Sequence, residues 1–122
     1  MYTVLAETEF RSSHSLRLID GGQEPPHEHL WRITAAVHCR QLDAVQMGMD
    51  FYELKALLEE CIRPFVGRRL EQQEAFSAIN PTAESVARVI YDRLAPKLPP
   101  SQTLAWTEVT EAPGCRVRYR PD

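Results

Sequence analysis

The sequence predicts an α+β fold, an antiparallel four-stranded sheet with two helices on one face in the order ββααββ. Three observations carry this. Apolar and polar residues alternate with a period of two near both ends of the chain, two apolar stripes with helical spacing fill the middle, and the two helical stretches follow one another with no strand pattern between them. A doubly wound fold would interleave strand and helix, so the order of elements argues against it.

The first strand covers 2–14. Tyr2, Val4, Ala6, Phe10 and His14 share one parity while Glu7, Glu9 and Arg11 hold the other, the pattern of a half-buried strand. Asp20-Gly21-Gly22-Gln23-Glu24-Pro25-Pro26 concentrates turn formers and reads as a loop. A second strand over 27–39 sets Trp31, Ile33, Ala35, Val37 and Cys39 on one side and Arg32, Thr34, Ala36 and His38 on the other.

Asp50 is placed to cap a helix, with Glu53 completing a capping box. Phe51, Leu54, Leu57, Leu58, Cys61, Ile62 and Phe65 form its apolar stripe, which Pro64 brings to an end. Residues 66–80 read as polar and irregular. Asn80-Pro81-Thr82-Ala83-Glu84 then supplies cap candidates, a proline and an early acid for a second helix, with Ala83, Val86, Ala87, Ile90 and Leu94 on its apolar side. Thr103–Glu111 and Cys115–Arg120 flank the turn-forming Ala112-Pro113-Gly114 and predict a terminal hairpin.

At 122 residues the chain is read as a single domain over 1–122, large enough for a hydrophobic core without staples. A net charge of −3 without basic clusters argues against nucleic acid and against a membrane surface. No run approaches the ~20 apolar residues of a membrane span, and the start lacks the regions of a signal peptide. Three widely spaced cysteines, Cys39, Cys61 and Cys115, suit free thiols packed in the core of a cytoplasmic protein better than a disulfide framework.

Chemistry enters with the histidines. His27 and His29 stand two apart, so an extended chain points both imidazoles to one face. His14 lies on the inner face of the other N-terminal strand, and three imidazoles with one open position are a common catalytic zinc set. The same three nitrogens accept other divalent transition ions. His38, further along and beside Arg40, is read as solvated or interfacial.

The order Phe10-x-x-x-His14-x-Leu16, His27-x-His29, Met49-Asp50-Phe51-x-x-Leu54-Lys55, Asn80-Pro81-Thr82-Ala83-Glu84 and then Glu111 resembles the 6-pyruvoyl-tetrahydropterin and 6-carboxy-tetrahydropterin synthase family over nearly the whole chain. The resemblance implies a tunnelling fold whose subunits join their sheets into an oligomeric barrel, as a homo-oligomer (trimer or hexamer). It implies lyase chemistry on 7,8-dihydroneopterin triphosphate or a related pterin, with zinc held by His14, His27 and His29 and the pterin ring anchored by Glu111. A carboxylate suits that anchor because its oxygens accept paired N–H bonds from an aminopyrimidine edge.

The chain departs from the family at three positions. Gln23 stands four residues before His27, where the family has its proton-transfer cysteine, and Val66 and Gly67 stand where it has an Asp-His pair. An amide, an alkyl chain and a bare backbone cannot move protons near neutral pH. Two explanations stay open: a base relocated to Glu24, Glu28, Glu71 or Glu74, or a non-catalytic paralogue that binds zinc and a pterin. A zinc hydrolase is a more distant class, since no histidine pair stands in the His-Glu-x-x-His helical context.

Overall fold

The computed structural model describes all 122 residues. β1 (Tyr2–His14) and β2 (His27–Cys39) open the chain, α1 (Phe51–Ile62) and α2 (Ala83–Leu94) follow, and β3 (Thr103–Ala112) and β4 (Cys115–Tyr119) close it. The strands form one antiparallel sheet in the order β1-β2-β3-β4. The ββααββ order and the antiparallel sheet predicted from the sequence are what the chain adopts.

β1 and β2 pair in unbroken register over all thirteen residues, from Tyr2 opposite Cys39 to His14 opposite His27. The alternation explains why this ladder holds: Phe10 on β1 and Trp31, Ile33, Ala35 and Val37 on β2 all point under the helices and are buried. Trp31 also gives its indole N–H to the Ser12 carbonyl at 3.1 Å.

α1 lies over β1 and α2 over β3 and β4. Leu54, Leu58, Cys61 and Ile62 of α1 and Val86, Ala87, Ile90 and Leu94 of α2 are buried against the sheet, with Phe65 and Phe76 filling the space beside them. Phe51 departs from the expected stripe: as the first residue of α1 it extends past the sheet's cover and is 63% exposed. Asp50 caps α1 by accepting from the Tyr52 and Glu53 N–H groups, but Glu53 makes no return bond, so the predicted capping box is half formed. Thr82 caps α2 through the Ser85 N–H.

The stretch 66–80 is not featureless. Short 3-10 turns at Leu70–Gln72 and Glu74–Phe76 bury Leu70 and Phe76, and Gly67, with φ of +70°, donates its N–H to the Arg11 carbonyl at 2.7 Å. Cys39 and Cys61 are buried thiols as expected, and burial raises the pKa of each. Cys115 is exposed, which corrects its assignment to the core, because it stands at the hairpin end of the edge strand β4. His38 is half-buried, its Nδ1 3.2 Å from the Thr3 hydroxyl across the β1–β2 pair.

Leu58→Ala removes a fully buried side chain from the layer between helix and sheet and should cost about 2–5 kcal/mol, whereas Asp50→Ala should cost about 1 kcal/mol. Urea unfolding of both variants checks this. Equal losses would mean that the α1 stripe does not form the core contact described.

Candidate metal centre

The paired ends of β1 and β2 converge on three imidazoles. His14, the last residue of β1, stands directly across from His27, the first residue of β2, and His29 follows two residues on, on the same face. The ring centroids are 4.9 Å apart for His14 and His27, 5.0 Å for His14 and His29, and 5.1 Å for His27 and His29. Trp31 floors the group, its ring 5.0 Å from His14 and 5.7 Å from His29. One nitrogen of each histidine lies within 4.8 Å of the others, so the trio is able to hold a metal ion.

The hydrogen bonds fix which nitrogens face inward. His14 Nδ1 lies 2.8 Å from the Pro81 carbonyl, which only accepts, so Nδ1 carries the proton and Nε2 keeps its lone pair. That Nε2 is buried and has no hydrogen-bond partner. Glu111 Oε1 lies 3.2 Å away but without hydrogen-bond alignment. His27 points Nε2 at Glu24 Oε1, 2.8 Å away, which leaves Nδ1 turned toward His29 Nε2 at 3.2 Å. Nitrogens around a tetrahedral ion with bonds of about 2.0–2.1 Å lie roughly 3.3 Å apart. The His27–His29 pair has about this spacing and the His14 ligand nitrogen lies within 4.8 Å of both, a donor set that suits a borderline divalent ion.

Two carboxylates border the histidines. Glu24 accepts from the Leu16 N–H at 3.1 Å and meets His27 through the same oxygen, while Oε2 takes no bond within the chain. The contact with His27 is the main cause of its pKa lying below the usual carboxylate value. Glu111 comes from β3. Thr110 pairs with Arg116 and Ala112 with Cys115, so Glu111 is the extra residue of a β-bulge, a device that re-aims a side chain. It is 31% exposed and opens, with His29, Leu30 and Thr110, onto a cavity of about 460 Å³ beside the histidines. Burial lowers the pKa of His29, with Glu111 opposing.

The other residues singled out in the sequence make no bond to the histidines, although Glu28 lines the same cavity as His29 and Glu111. Glu28 pairs with Arg11 at 3.5 Å in solvent, Glu71 accepts from the Ser15 N–H and from Arg69, and Glu74 is exposed on its turn. Of the four glutamates, Glu24 alone reaches the histidines. Gln23 is exposed, bridged to Arg17, and Val66 and Gly67 lie beside β1 with no titratable group to offer. Sequence reasoning left the Pro81 carbonyl and the Asn80 amide unassigned; only the early histidine and the late Asn-Pro were visible, 67 positions apart for His14 and Pro81.

Fold and site together define an α+β protein with a cluster of three histidines, able to hold a metal ion, at one end of its sheet. The family model for 6-pyruvoyl tetrahydropterin synthase matches residues 3–122, and the chain belongs to that family. Among solved structures, the 6-pyruvoyl tetrahydropterin synthase of Caenorhabditis elegans superposes with a TM-score of 0.87 at 19% identity, covering 99% of this chain and 96% of that one. The Plasmodium falciparum synthase follows with a TM-score of 0.76 at 15% identity, covering 97% and 96%. A Plasmodium vivax synthase, solved with alanine in place of a catalytic glutamate, gives 0.76 at 12% identity over the same shares. No curated protein matches the sequence.

His29 ties the metal-free site to pH. Its pKa lies below 6.5 in the folded chain, so well above 6.5 neither state is protonated and the group is neutral in its effect; as pH falls through 6.5 the unfolded chain takes up a proton first and stability declines. Chelator-treated protein should therefore lose thermal stability as pH falls from 7 toward 5. His29→Gln should flatten that slope, and an unchanged slope would remove His29 as its source.

Proposed function

We propose that this chain is a zinc-dependent lyase of the 6-pyruvoyl/6-carboxy-tetrahydropterin synthase type, acting on 7,8-dihydroneopterin triphosphate or a related pterin. The observation that carries the reading is the convergence of His14, His27 and His29 with a free carboxylate oxygen of Glu24 beside them. His14 Nε2, His27 Nδ1 and His29 Nε2 would hold the ion. Bound there, zinc would supply Lewis acidity toward a substrate hydroxyl.

The remaining steps belong to the chain. Glu111, re-aimed by its bulge into the cavity, accepts N–H bonds from the aminopyrimidine edge and sets the distance between ring and metal. Glu24 is the relocated base. Its lowered pKa keeps it a carboxylate at neutral pH, and its unbonded Oε2 is the atom that takes and returns the carbon proton. That a catalytic glutamate is a feature of the Plasmodium vivax neighbour supports this choice.

Gln23, Val66 and Gly67 favour a second reading, a non-catalytic protein that binds zinc and a pterin. Turnover of 7,8-dihydroneopterin triphosphate separates the two. Lyase activity should be abolished by His27→Ala with loss of metal, and reduced about 100-fold or more by Glu24→Gln with metal content retained. Glu111→Ala should weaken pterin binding. Pterin binding without turnover in the unaltered protein would select the second reading.

A homo-oligomer, trimer or hexamer, completes the proposal. β1 and β4 are the free edges of the sheet, and a thirteen-residue edge such as β1 invites pairing. Glu7 and Glu9 on β1 share the helix-free face with Arg116 and Arg118 on β4. Within the chain Glu9 pairs with Arg32 and both β4 arginines with Glu108, so an edge-to-edge contact would extend these pairs to Glu7 of the next copy. Light scattering should give a multiple of three subunits, and Arg118→Glu should lower that mass; a monomeric native protein would refute the assembly. The solvent-facing setting of a cytoplasmic enzyme accords with the absence of any helix long and apolar enough to cross a membrane.

A further inference from the structure

We infer that Asn80 is a positioning residue that sets the metal-binding form of His14 and the placement of Glu24 together, an inference that rests on the metal reading above. The segment after β1 is held on two sides. On one side it folds back on itself: Leu18 N–H bonds the Gly22 carbonyl at 2.7 Å, Glu24 N–H bonds the Leu16 carbonyl at 3.0 Å, and Arg17 bridges Gln23 between them. This small ladder carries Glu24, whose side chain receives the Leu16 N–H and whose carbonyl receives the Ser15 hydroxyl.

In such a ladder the N–H and C=O of Arg17 point away from Gln23. Both are taken up by one side chain. Arg17 N–H donates to Asn80 Oδ1 at 2.8 Å, and Asn80 Nδ2 donates to the Arg17 carbonyl at 2.9 Å, so the amide acts as one more rung of sheet across 63 positions of sequence. The next residue, Pro81, is buried and presents the carbonyl that holds the proton on His14 Nδ1. A second fastening runs from Thr82 N–H to the Asn80 carbonyl at 2.9 Å, which joins the clamp to the start of α2.

The consequence is a shared support. Releasing Asn80 frees residues 15–18 on the side that faces α2, letting the Pro81 carbonyl drift from His14 and the ladder drift with Glu24. His14 then loses the acceptor that keeps its Nε2 lone pair available. Partners of this kind, one step removed from a metal, typically change affinity 10- to 100-fold when lost.

The test uses cobalt(II) alone as the probe on the full chain. Asn80→Ala should bind cobalt about 10- to 100-fold more weakly, with a changed visible absorption spectrum. Thr82→Ala is the control, since it removes the side-chain cap at the same helix start and lowers thermal stability without touching the clamp; its cobalt affinity and spectrum should match the native protein's. Asn80→Asp keeps the acceptor for the Arg17 N–H and loses the donor, and should fall between native and Asn80→Ala. If Asn80→Ala does not fold, the aspartate variant decides, native affinity there overturning the assignment. Native-like binding by Asn80→Ala, or equal weakening in Thr82→Ala, overturns it as well. Failure of the native protein to take up cobalt would instead remove the metal reading itself.

Discussion

The rest of the molecule depends on the register of β1 against β2. Thirteen consecutive pairs bring His14 opposite His27 while Phe10 and Trp31 face each other beneath the helices. A slip of one residue would turn every apolar side chain of a strand to the wrong face, so core and histidine cluster are specified by the same constraint. The histidine cluster thus requires no separate device to bring two of its three imidazoles together; burying the sheet face does so.

The third dimension of the site comes from elements that are distant in sequence. The approach to α2 delivers the Pro81 carbonyl to His14, and the bulge in β3 delivers Glu111. Both are backbone events. A carbonyl that can only accept fixes a tautomer, and an unpaired strand residue redirects a carboxylate, so the inner chemistry is tuned by main-chain geometry more than by further polar side chains. Burial acts in the same direction, holding His29 neutral where a metal would need its lone pair.

Of the acids near the cluster, Glu24 meets His27 directly, whereas Gln23, Val66 and Gly67 offer no titratable group. Glu24 is tied by its backbone to Leu16 and Ser15, in a segment braced against residues 80–82. A segment held this way has little freedom to rearrange, which under the proposed function would keep Glu24 at a set distance from a substrate.

Much of this was legible in the linear chain. Alternation and helical spacing determined the element order, because burying one face of a strand or helix imposes a period that composition cannot hide. The pairing of His27 with His29 followed from the same period, and His14 from its parity with Phe10. The sequence could not choose among Glu24, Glu28, Glu71 and Glu74, since all are ordinary loop or strand acids until the fold turns one of them toward the imidazoles. Nor could it place Cys115 in solvent or show that Asn80 grips Arg17, for exposure and contacts across 63 positions are properties of packing. Local periodicity is written residue by residue; convergence is decided only when the sheet and its helices close together.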